Sequence, residues 1–291
     1  MNMKKRVLVL DFDGTLTNAE EEGKPFAKGY KEDLSILLRK KIEEVSVIAQ
    51  SAEAEIIADP AAHGWKNESD GVIVAPAMAD PYLRMQAIAH HAFDKFGLYL
   101  NRTDREHLLT LLFMRNYHQS GTVFKDGAGE LLFDLYTNSD LATYIVTNST
   151  LEGVFKKILA LSKTAGIPEL VRLQNNVIGG AKKYVVGNKP EHLVEKITIP
   201  GLSRPIYVRR SEYYKVLENL REENNIDWED MMVIGDIFEL DLALPFMLGA
   251  RVGLVANQFT PQYERDFIAS RRVPPAAIIN SLDEVLPFVL K

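Results

Sequence analysis

The sequence lacks cysteine altogether among its 291 residues. Disulfide bonds and metal sites with thiolate ligands are therefore excluded, and a secreted protein held together by disulfides is not expected. Long apolar runs are also missing, because no stretch approaches the roughly 18 apolar residues of a membrane span. The apolar run near the basic N-terminus is too short for a signal peptide. We therefore expect a soluble, cytoplasmic protein that does not insert into a membrane.

Positive charge is in the minority, with 34 Lys and Arg against 40 Asp and Glu and a net charge of −6. A general surface for nucleic acids or anionic membranes is not expected at this balance. A hydrophobic content of 46% with 25% charged residues is typical of a globular protein with a sizeable core. The length favours a main domain with a smaller insert, and the oligomeric state stays open.

Four short apolar runs predict buried strands, because they lack the alternation of a strand that faces solvent on one side. The runs lie at 7–10, 143–146, 231–235 and 252–255. Helical patterns separate the last three: one ends at Gly166, and another begins near Ser211, which we predict to be its N-cap. This alternation predicts an α/β fold with a Rossmann-like, doubly wound parallel sheet.

The strand–helix alternation is interrupted after the first strand by more than a hundred residues, whose patterns predict an almost entirely helical interval. Residues 30–50 show one apolar stripe, which predicts a helix. A second helix is predicted to begin at Asp80 and to end at Gly97. A third begins with Thr103 and Glu106, at the spacing of a capping box.

These patterns predict an α/β core formed by residues 1–18 and 125–291, with a helical subdomain of residues 19–124 inserted after the first strand. A second irregular stretch, 171–208, is rich in β-forming residues with glycine and proline between them. At least one core strand is expected there. Whether the remainder forms an extra hairpin stays open.

Polar residues follow three of the four predicted strands: Asp11 and Asp13 after the first, Thr147 and Asn148 after the second, and Asp236 after the third. The carboxyl ends of parallel strands share one edge of the sheet, where ligands bind. Three carboxylates in one crevice would repel each other and raise at least one pKa, which a bound cation would relieve. An oxygen-only site without soft ligands predicts Mg²⁺.

Two simpler interpretations of the first aspartates are weaker. An EF-hand loop starting at Asp11 would place Glu22 at its twelfth position, but Leu16 stands where that loop needs glycine. A strand also precedes the segment where a helix would be required. A turn with capping aspartates explains one such segment alone, but not three strand ends with polar residues.

Three segments resemble motifs one, two and four of the haloacid dehalogenase (HAD) superfamily of phosphohydrolases: DFDGTLTN (11–18), IVTNS (145–149) and VIGDIFELD (233–241). The helical insert after the first segment is similar in position and character to the helical cap of that superfamily. The resemblance implies a Mg²⁺-dependent phosphatase that hydrolyses a small phosphorylated metabolite through an aspartyl-phosphate.

The resemblance also implies a role for each matching residue. Asp11 would be the nucleophile, Asp13 the general acid and base, and Thr147 a hydrogen-bond donor to the phosphoryl oxygens. Asp236 would bind Mg²⁺ with Asp11 and Asp13, and Asp241 would support that metal shell. Substrate contacts would come from three further residues: Asn148, Gly14 and Thr15. Asp13 favours phosphoryl transfer over carbon–halogen cleavage, because an alkoxide leaves poorly without a proton.

A lysine or arginine of motif three is expected at the start of the helix that precedes motif four. Arg210, directly before Ser211, is the preferred candidate. The alternatives that stay open are Arg209, Lys182, Lys183 and Lys189. Glu239, inside motif four, is interpreted as a charge at the rim of the site rather than a metal contact.

Substrate identity would depend on the cap. The cap offers these basic side chains for substrate contacts: His90, His91, His107, His118, Arg84, Arg102, Arg105 and Arg115. We interpret its histidines as lying on solvated helix faces. Segment 114–121 leads back to the core and is an alternative source of contacts to the cleft.

Two rival functions stay open. A phosphotransferase or phosphomutase would use the same aspartyl-phosphate, with a substrate hydroxyl in place of water. A non-catalytic protein that binds a phosphorylated ligand would need the fold alone.

Overall fold

The computed structural model describes residues 6–66 and 71–291. These residues contain ten strands: β1 (Arg6–Leu10), β2 (Gly64–Lys66), β3 (Ile73–Pro76), β4 (Leu141–Val146), β5 (Val177–Ile178), β6 (Lys196–Ile197), β7 (Ile206–Tyr207), β8 (Met231–Gly235), β9 (Arg251–Val255) and β10 (Ala276–Ile279). They also contain ten α-helices: α1 (Ala19–Leu38), α2 (Ile42–Ala58), α3 (Pro81–Phe96), α4 (Arg102–Tyr117), α5 (Ala128–Thr137), α6 (Leu151–Ala165), α7 (Ser211–Glu223), α8 (Ala243–Leu248), α9 (Gln262–Ala269) and α10 (Val285–Leu290).

Six strands form one parallel sheet in the order β10-β9-β8-β1-β4-β5, which confirms the predicted α/β fold. Leu10, at the end of β1, pairs with Ile145 of β4 on one side and Ile234 of β8 on the other. The sheet grows in both directions from β1, so the winding reverses there. The crevice outside the ends of β1, β4 and β8 is therefore the expected ligand site.

Side chains alternate along β1 between two apolar cores. Val7 and Val9 contribute to the core that includes α7, α8 and α9, and Leu8 and Leu10 to the core that includes α5, α6 and α10. All four side chains are almost completely buried. Burial on both faces explains why this strand is continuously apolar.

The insert contains α1 to α4 and the β2–β3 hairpin, and its helices share a third apolar core. An antiparallel bridge between Thr17 and Phe124 brings the start and the end of the insert together. The division into 1–18 with 125–291 and 19–124 stays a prediction, and this bridge is consistent with it.

Three local helix predictions are wrong. The stripe over 30–50 belongs to two helices, because Arg39 adopts a left-handed conformation (φ 54°) that ends α1. Asn101 rather than Thr103 caps α4. Ser211 is the first residue of α7 rather than its cap. The predicted start and end of α3, at Asp80 and Gly97, are confirmed.

Short strands account for the remaining differences. The antiparallel hairpin of β2 and β3 lies in an interval predicted to be helical. Its residues 67–70 lie outside the described residues. Within 171–208, β5 is the expected core strand, and β6 and β7 form the extra hairpin that the sequence left open. Among the described residues no helix is both long and apolar enough to cross a membrane.

Candidate active site

A buried lysine lies between Asp11, at the end of β1, and Asp241 of motif four. Lys183 Nζ donates to Asp11 Oδ1 at 2.7 Å and to Asp241 Oδ1 at 2.8 Å. Burial lowers the pKa of Lys183, but the charges of Asp11 and Asp241 outweigh it and hold the pKa above its usual value. The lysine therefore stays charged and offsets part of the negative charge of the site.

Three carboxylates form a compact acidic cluster. One oxygen each of Asp11, Asp236 and Asp241 lies within 4.8 Å of the others. Burial raises the pKa of Asp11 to about 7, with Asp241 and Asp13 adding to it and Lys183 opposing it. Burial and the charges of Asp11 and Asp241 raise the pKa of Asp236 well above its usual value. Buried oxygen donors that repel each other fit a hard divalent cation such as Mg²⁺.

The loop after β1 is shaped around this cluster by Gly14. Its φ is +80°, and a Cβ placed there would lie 2.0 Å from Asp236 Oδ2. The Thr15 hydroxyl donates to Asp11 Oδ2 at 3.3 Å. Lys125 Nζ donates to the carbonyl of Gly14, which places a second lysine beside the aspartates. Sequence reasoning did not identify Lys125, which lies outside the recognised motifs.

Asp241 is fixed by the chain around it. It lies in a single π-helical turn, Phe238–Leu242, a feature that is frequent at functional sites. Its Oδ2 accepts from the amide of Ile237 at 3.1 Å, and the Tyr213 hydroxyl donates to its carbonyl at 3.0 Å. Both carboxylate oxygens of Asp241 thus have partners, one of them being Lys183.

Asp13 lies on the other side of the crevice. Its Oδ2 accepts from the Ser149 hydroxyl at 2.6 Å and its Oδ1 from Lys157 Nζ at 2.7 Å. Lys157 also contacts Glu22 of α1, at 3.0 Å. Sequence reasoning missed Ser149 and Lys157 as partners of Asp13, and Glu22 as a partner of Lys157. Ser149 directly follows Thr147 and Asn148, which was the one signal that could have identified it.

The residues after β4 hold the backbone of the site. Thr147 Oγ1 accepts from the amide of Ser149 at 3.1 Å. Asn148 Oδ1 accepts from the amide of Lys183 at 2.8 Å, so this side chain positions the lysine. The structure thus brings together the predicted residues of motifs one, two and four.

The structure aligns with HAD-hydrolase YfnB from Bacillus subtilis, a protein bound to magnesium, with a TM-score of 0.54. The chain has the HAD fold. This alignment covers 99% of this chain and 100% of YfnB at 14% sequence identity. A predicted phosphoglycolate phosphatase from Haemophilus somnus aligns with a TM-score of 0.50 and 12% identity, over 99% of each chain. No family model matches the sequence, and neither does any curated protein.

The HAD motif-three position requires a correction. Arg210 was preferred, but its buried guanidinium donates to the carbonyls of Tyr207, Tyr184, Val74 and Glu239. Burial lowers its pKa to about 10, with the charge of Glu239 opposing the shift. Arg210 therefore connects the core to β3 and the π-helical turn, away from Asp11.

The other candidates for the motif-three cation differ in what their side chains contact. Lys183 contacts Asp11, whereas Arg209 donates to the carbonyls of Leu193 and Glu191. Lys189 pairs with the carboxylate of Glu191, and Lys182 has an exposed side chain. Lys183 precedes the β6–β7 hairpin, whereas the motif-three cation was expected after it, at the start of α7.

Glu239 is not a rim charge, contrary to the prediction. It is buried, and Arg204 binds both its carboxylate oxygens, at 2.7 and 2.8 Å. The Tyr263 hydroxyl donates to the same carboxylate at 2.7 Å. Glu239 therefore stabilises the π-helical turn, to which it belongs, through its contacts with Arg204 and Tyr263.

A cleft of about 550 Å³ lies between the strand ends and the helical insert of this HAD fold. Asp11, Asp13 and Asp236 line one side. Helices α3 and α4 line the other, and Tyr117 belongs to segment 114–121, where contacts were considered. None of the basic residues considered for the insert is among the described residues that line the cleft.

Proposed function

We propose that the protein is a Mg²⁺-dependent phosphatase that hydrolyses a small phosphorylated metabolite through an aspartyl-phosphate. The observation that carries this proposal is the buried ion pair of Lys183 with Asp11, where Asp11 lines a cleft that Asp13 also lines. A carboxylate nucleophile next to a fixed cation suits attack on a phosphoryl group, whose charge must be offset in the transition state. The HAD fold supports hydrolase chemistry at the level of the superfamily.

In the first half-reaction, a carboxylate oxygen of Asp11 attacks phosphorus, and the bond from phosphorus to the ester oxygen breaks. Asp13 gives a proton to the leaving oxygen. Lys183 and the Thr147 hydroxyl contact the phosphoryl oxygens, where negative charge accumulates.

In the second half-reaction, water attacks the phosphorus of the aspartyl-phosphate and Asp13 accepts its proton. The bond from phosphorus to the Asp11 oxygen breaks, phosphate leaves, and the Asp11 carboxylate is restored. Ser149 and Lys157 hold the Asp13 side chain at the cleft.

The metal would be held by Asp11 and Asp236, with the backbone carbonyl of Asp13. Asp241 would support this set by orienting Lys183, because its own oxygens are engaged by Lys183 and the Ile237 amide. When bound, the ion offsets the charge shared by the carboxylates and the phosphoryl oxygens.

The test is phosphate release from a panel of phosphate monoesters, with Mg²⁺ and with chelator, for the wild type and for Asp11→Asn. We expect release that needs Mg²⁺ and disappears in the variant. Release that persists in Asp11→Asn would exclude the aspartyl-phosphate route. Adding acceptor alcohols distinguishes hydrolysis from phosphotransfer, since a transferase would form new esters in place of free phosphate.

A further inference from the structure

The side of the cleft opposite the aspartates is aromatic. Trp65, Tyr82, Phe113 and Tyr117 line it, and we call these four residues the aromatic wall. The rings of Phe113 and Tyr117 are nearly parallel, with centroids 5.1 Å apart, and Tyr82 meets Tyr117 edge-on at 5.3 Å. The rings of Tyr82, Phe113 and Tyr117 therefore form a continuous surface, and Trp65 adds a separate ring to the same cleft.

The aromatic wall is rigid because buried rings support it. Phe26 is fully buried and contacts Tyr82 at 4.8 Å and Phe113 at 5.5 Å between ring centroids. Trp65 stacks on Tyr184 with centroids 4.2 Å apart. A ligand that uses this surface therefore meets rings already held in place, which lowers the entropic cost of binding.

The charges on this side of the cleft are unfavourable for a leaving group that is itself negatively charged. Among the described residues that line the cleft, Lys157 is the one cation, and it already contacts Asp13 and Glu22. Asp80 also lines the cleft, where it caps α3 by accepting from the amides of Tyr82 and Leu83. A carboxylate, or a phosphate in addition to the reacting one, would be buried on this side of the cleft without a counter-charge.

We propose that the cleft selects phosphate monoesters whose leaving alcohol carries a planar, uncharged ring, which stacks on the aromatic wall. This inference rests on the proposed function, because the phosphate is placed at Asp11. Stacking on rings is favourable for flat groups in offset or edge-on arrangements and is lost for puckered rings of the same size. Gln86 and Thr110, which also line the cleft, can hydrogen-bond polar substituents on the ring.

Three esters of primary alcohols with similar leaving groups test the proposal: benzyl, cyclohexylmethyl and 4-carboxybenzyl phosphate. Ethyl phosphate serves as a substrate without a ring. We expect kcat/KM to be highest for benzyl phosphate, about 10-fold lower for cyclohexylmethyl phosphate, and lower by at least about 10-fold for 4-carboxybenzyl phosphate. Equal values for the three ring esters would overturn the inference.

Variants test whether the aromatic wall causes the preference for benzyl phosphate. Tyr117→Leu should erase the difference between benzyl and cyclohexylmethyl phosphate, and this ratio is independent of any general loss of activity. Leu111→Ala, at an exposed position of the same helix, is the matched control and should keep the difference. Gln86→Lys should raise the relative kcat/KM for 4-carboxybenzyl phosphate, whereas Gln86→Leu should not.

The two proposals fail in different ways. Mg²⁺-dependent hydrolysis of ethyl phosphate with no preference among the ring esters would leave the phosphatase intact and reject the ring selectivity. If no ester is hydrolysed, the proposed function fails, and calorimetric titration of Asp11→Asn with the three ring esters decides the inference. The same order of Kd would support it, and equal or absent binding would overturn it.

Discussion

Lys183 is the single residue on which the charge balance of the site depends most, because its ammonium separates Asp11 from Asp241. Removing it would leave two carboxylates facing each other without a cation and would take a donor away from the phosphoryl group. We expect Lys183→Met to lower kcat by about 100-fold or more, the typical effect of losing one such electrostatic contact.

Phosphate release measures this effect, and Lys182→Met is the matched control because the neighbouring side chain is exposed. Full activity of Lys183→Met would contradict the assignment, and an equal loss in Lys182→Met would show that the effect is not specific to Lys183. Circular dichroism separates lost chemistry from lost folding.

Gly14 has two constraints that can be separated. Its positive φ makes any side chain unfavourable, and a Cβ would also collide with the Asp236 carboxylate. Gly97 has a similar φ of +61° but open space around it. Gly14→Ala and Gly97→Ala should each cost about 1–2 kcal/mol of unfolding free energy from backbone strain. Only Gly14→Ala should also lose activity, as measured by denaturant unfolding and phosphate release; inactive Gly97→Ala would speak against this separation.

At the scale of elements, two buried carboxylates lie at the π-helical turn of motif four: Glu239, within the turn, and Glu264 of α9. Glu264 is fully buried and accepts from the amide of Phe238 at 3.2 Å. Its other carboxylate oxygen has no hydrogen-bond partner among the described residues. Burial, followed by the charge of Glu239, raises the pKa of Glu264 well above its usual value. The protonated form of Glu264 is therefore the one that the fold favours.

This raised pKa makes stability depend on pH with a defined sign. Because the folded state binds the proton more tightly, the contribution is complete below the unfolded pKa and declines as pH rises toward the folded value. The slope in that window is about 1.4 kcal/mol per pH unit at most. Glu264→Gln stays neutral, so its stability relative to the wild type should increase from pH 5 to pH 8.

Thermal unfolding at a series of pH values measures this difference. Glu223→Gln, at an exposed position near the end of α7, is the control and should track the wild type. A difference between Glu264→Gln and the wild type that stays constant with pH would show that Glu264 does not titrate in this range.

At the scale of the whole molecule, Mg²⁺ binding at the acidic cluster should increase the stability of the folded protein. Three buried carboxylates repel each other, and an ion that binds only the folded state would stabilise it. We expect Mg²⁺ at 100 times its Kd to stabilise the protein by about 2.7 kcal/mol, and chelator to reverse the change. Asp236→Asn should raise the melting temperature without metal and remove the response to Mg²⁺.

Calorimetric or fluorescence-monitored melting with Mg²⁺ and with chelator tests this expectation. Asp230→Asn, a change at a carboxylate outside the cluster, controls for the loss of a charge. An unchanged response to Mg²⁺ in Asp236→Asn would place the metal elsewhere.

Local patterns in the sequence were enough to locate four of the six strands of the sheet and the aspartates that follow two of them. β1, β4, β8 and β9 are continuous apolar runs because both their faces are buried, and a strand end carries its next residue to the edge of the sheet. A parallel sheet therefore places Asp11 and Asp236 at the same edge, and they meet there because β1 and β8 are neighbours. Caps were less predictable, because several residues near a helix end can supply the same hydrogen bond.

Tertiary structure alone decided which cations and rings complete the site. Lys183 lies 172 residues from Asp11 along the chain, and its side chain differs in no local way from that of exposed Lys182. Lys157 and three rings of the aromatic wall come from helices whose polar and apolar patterns fit ordinary solvated or core faces equally well, and Trp65 comes from β2. Which of these side chains faces the cleft depends on how the helical insert packs against the sheet, and that packing is set by long-range contacts.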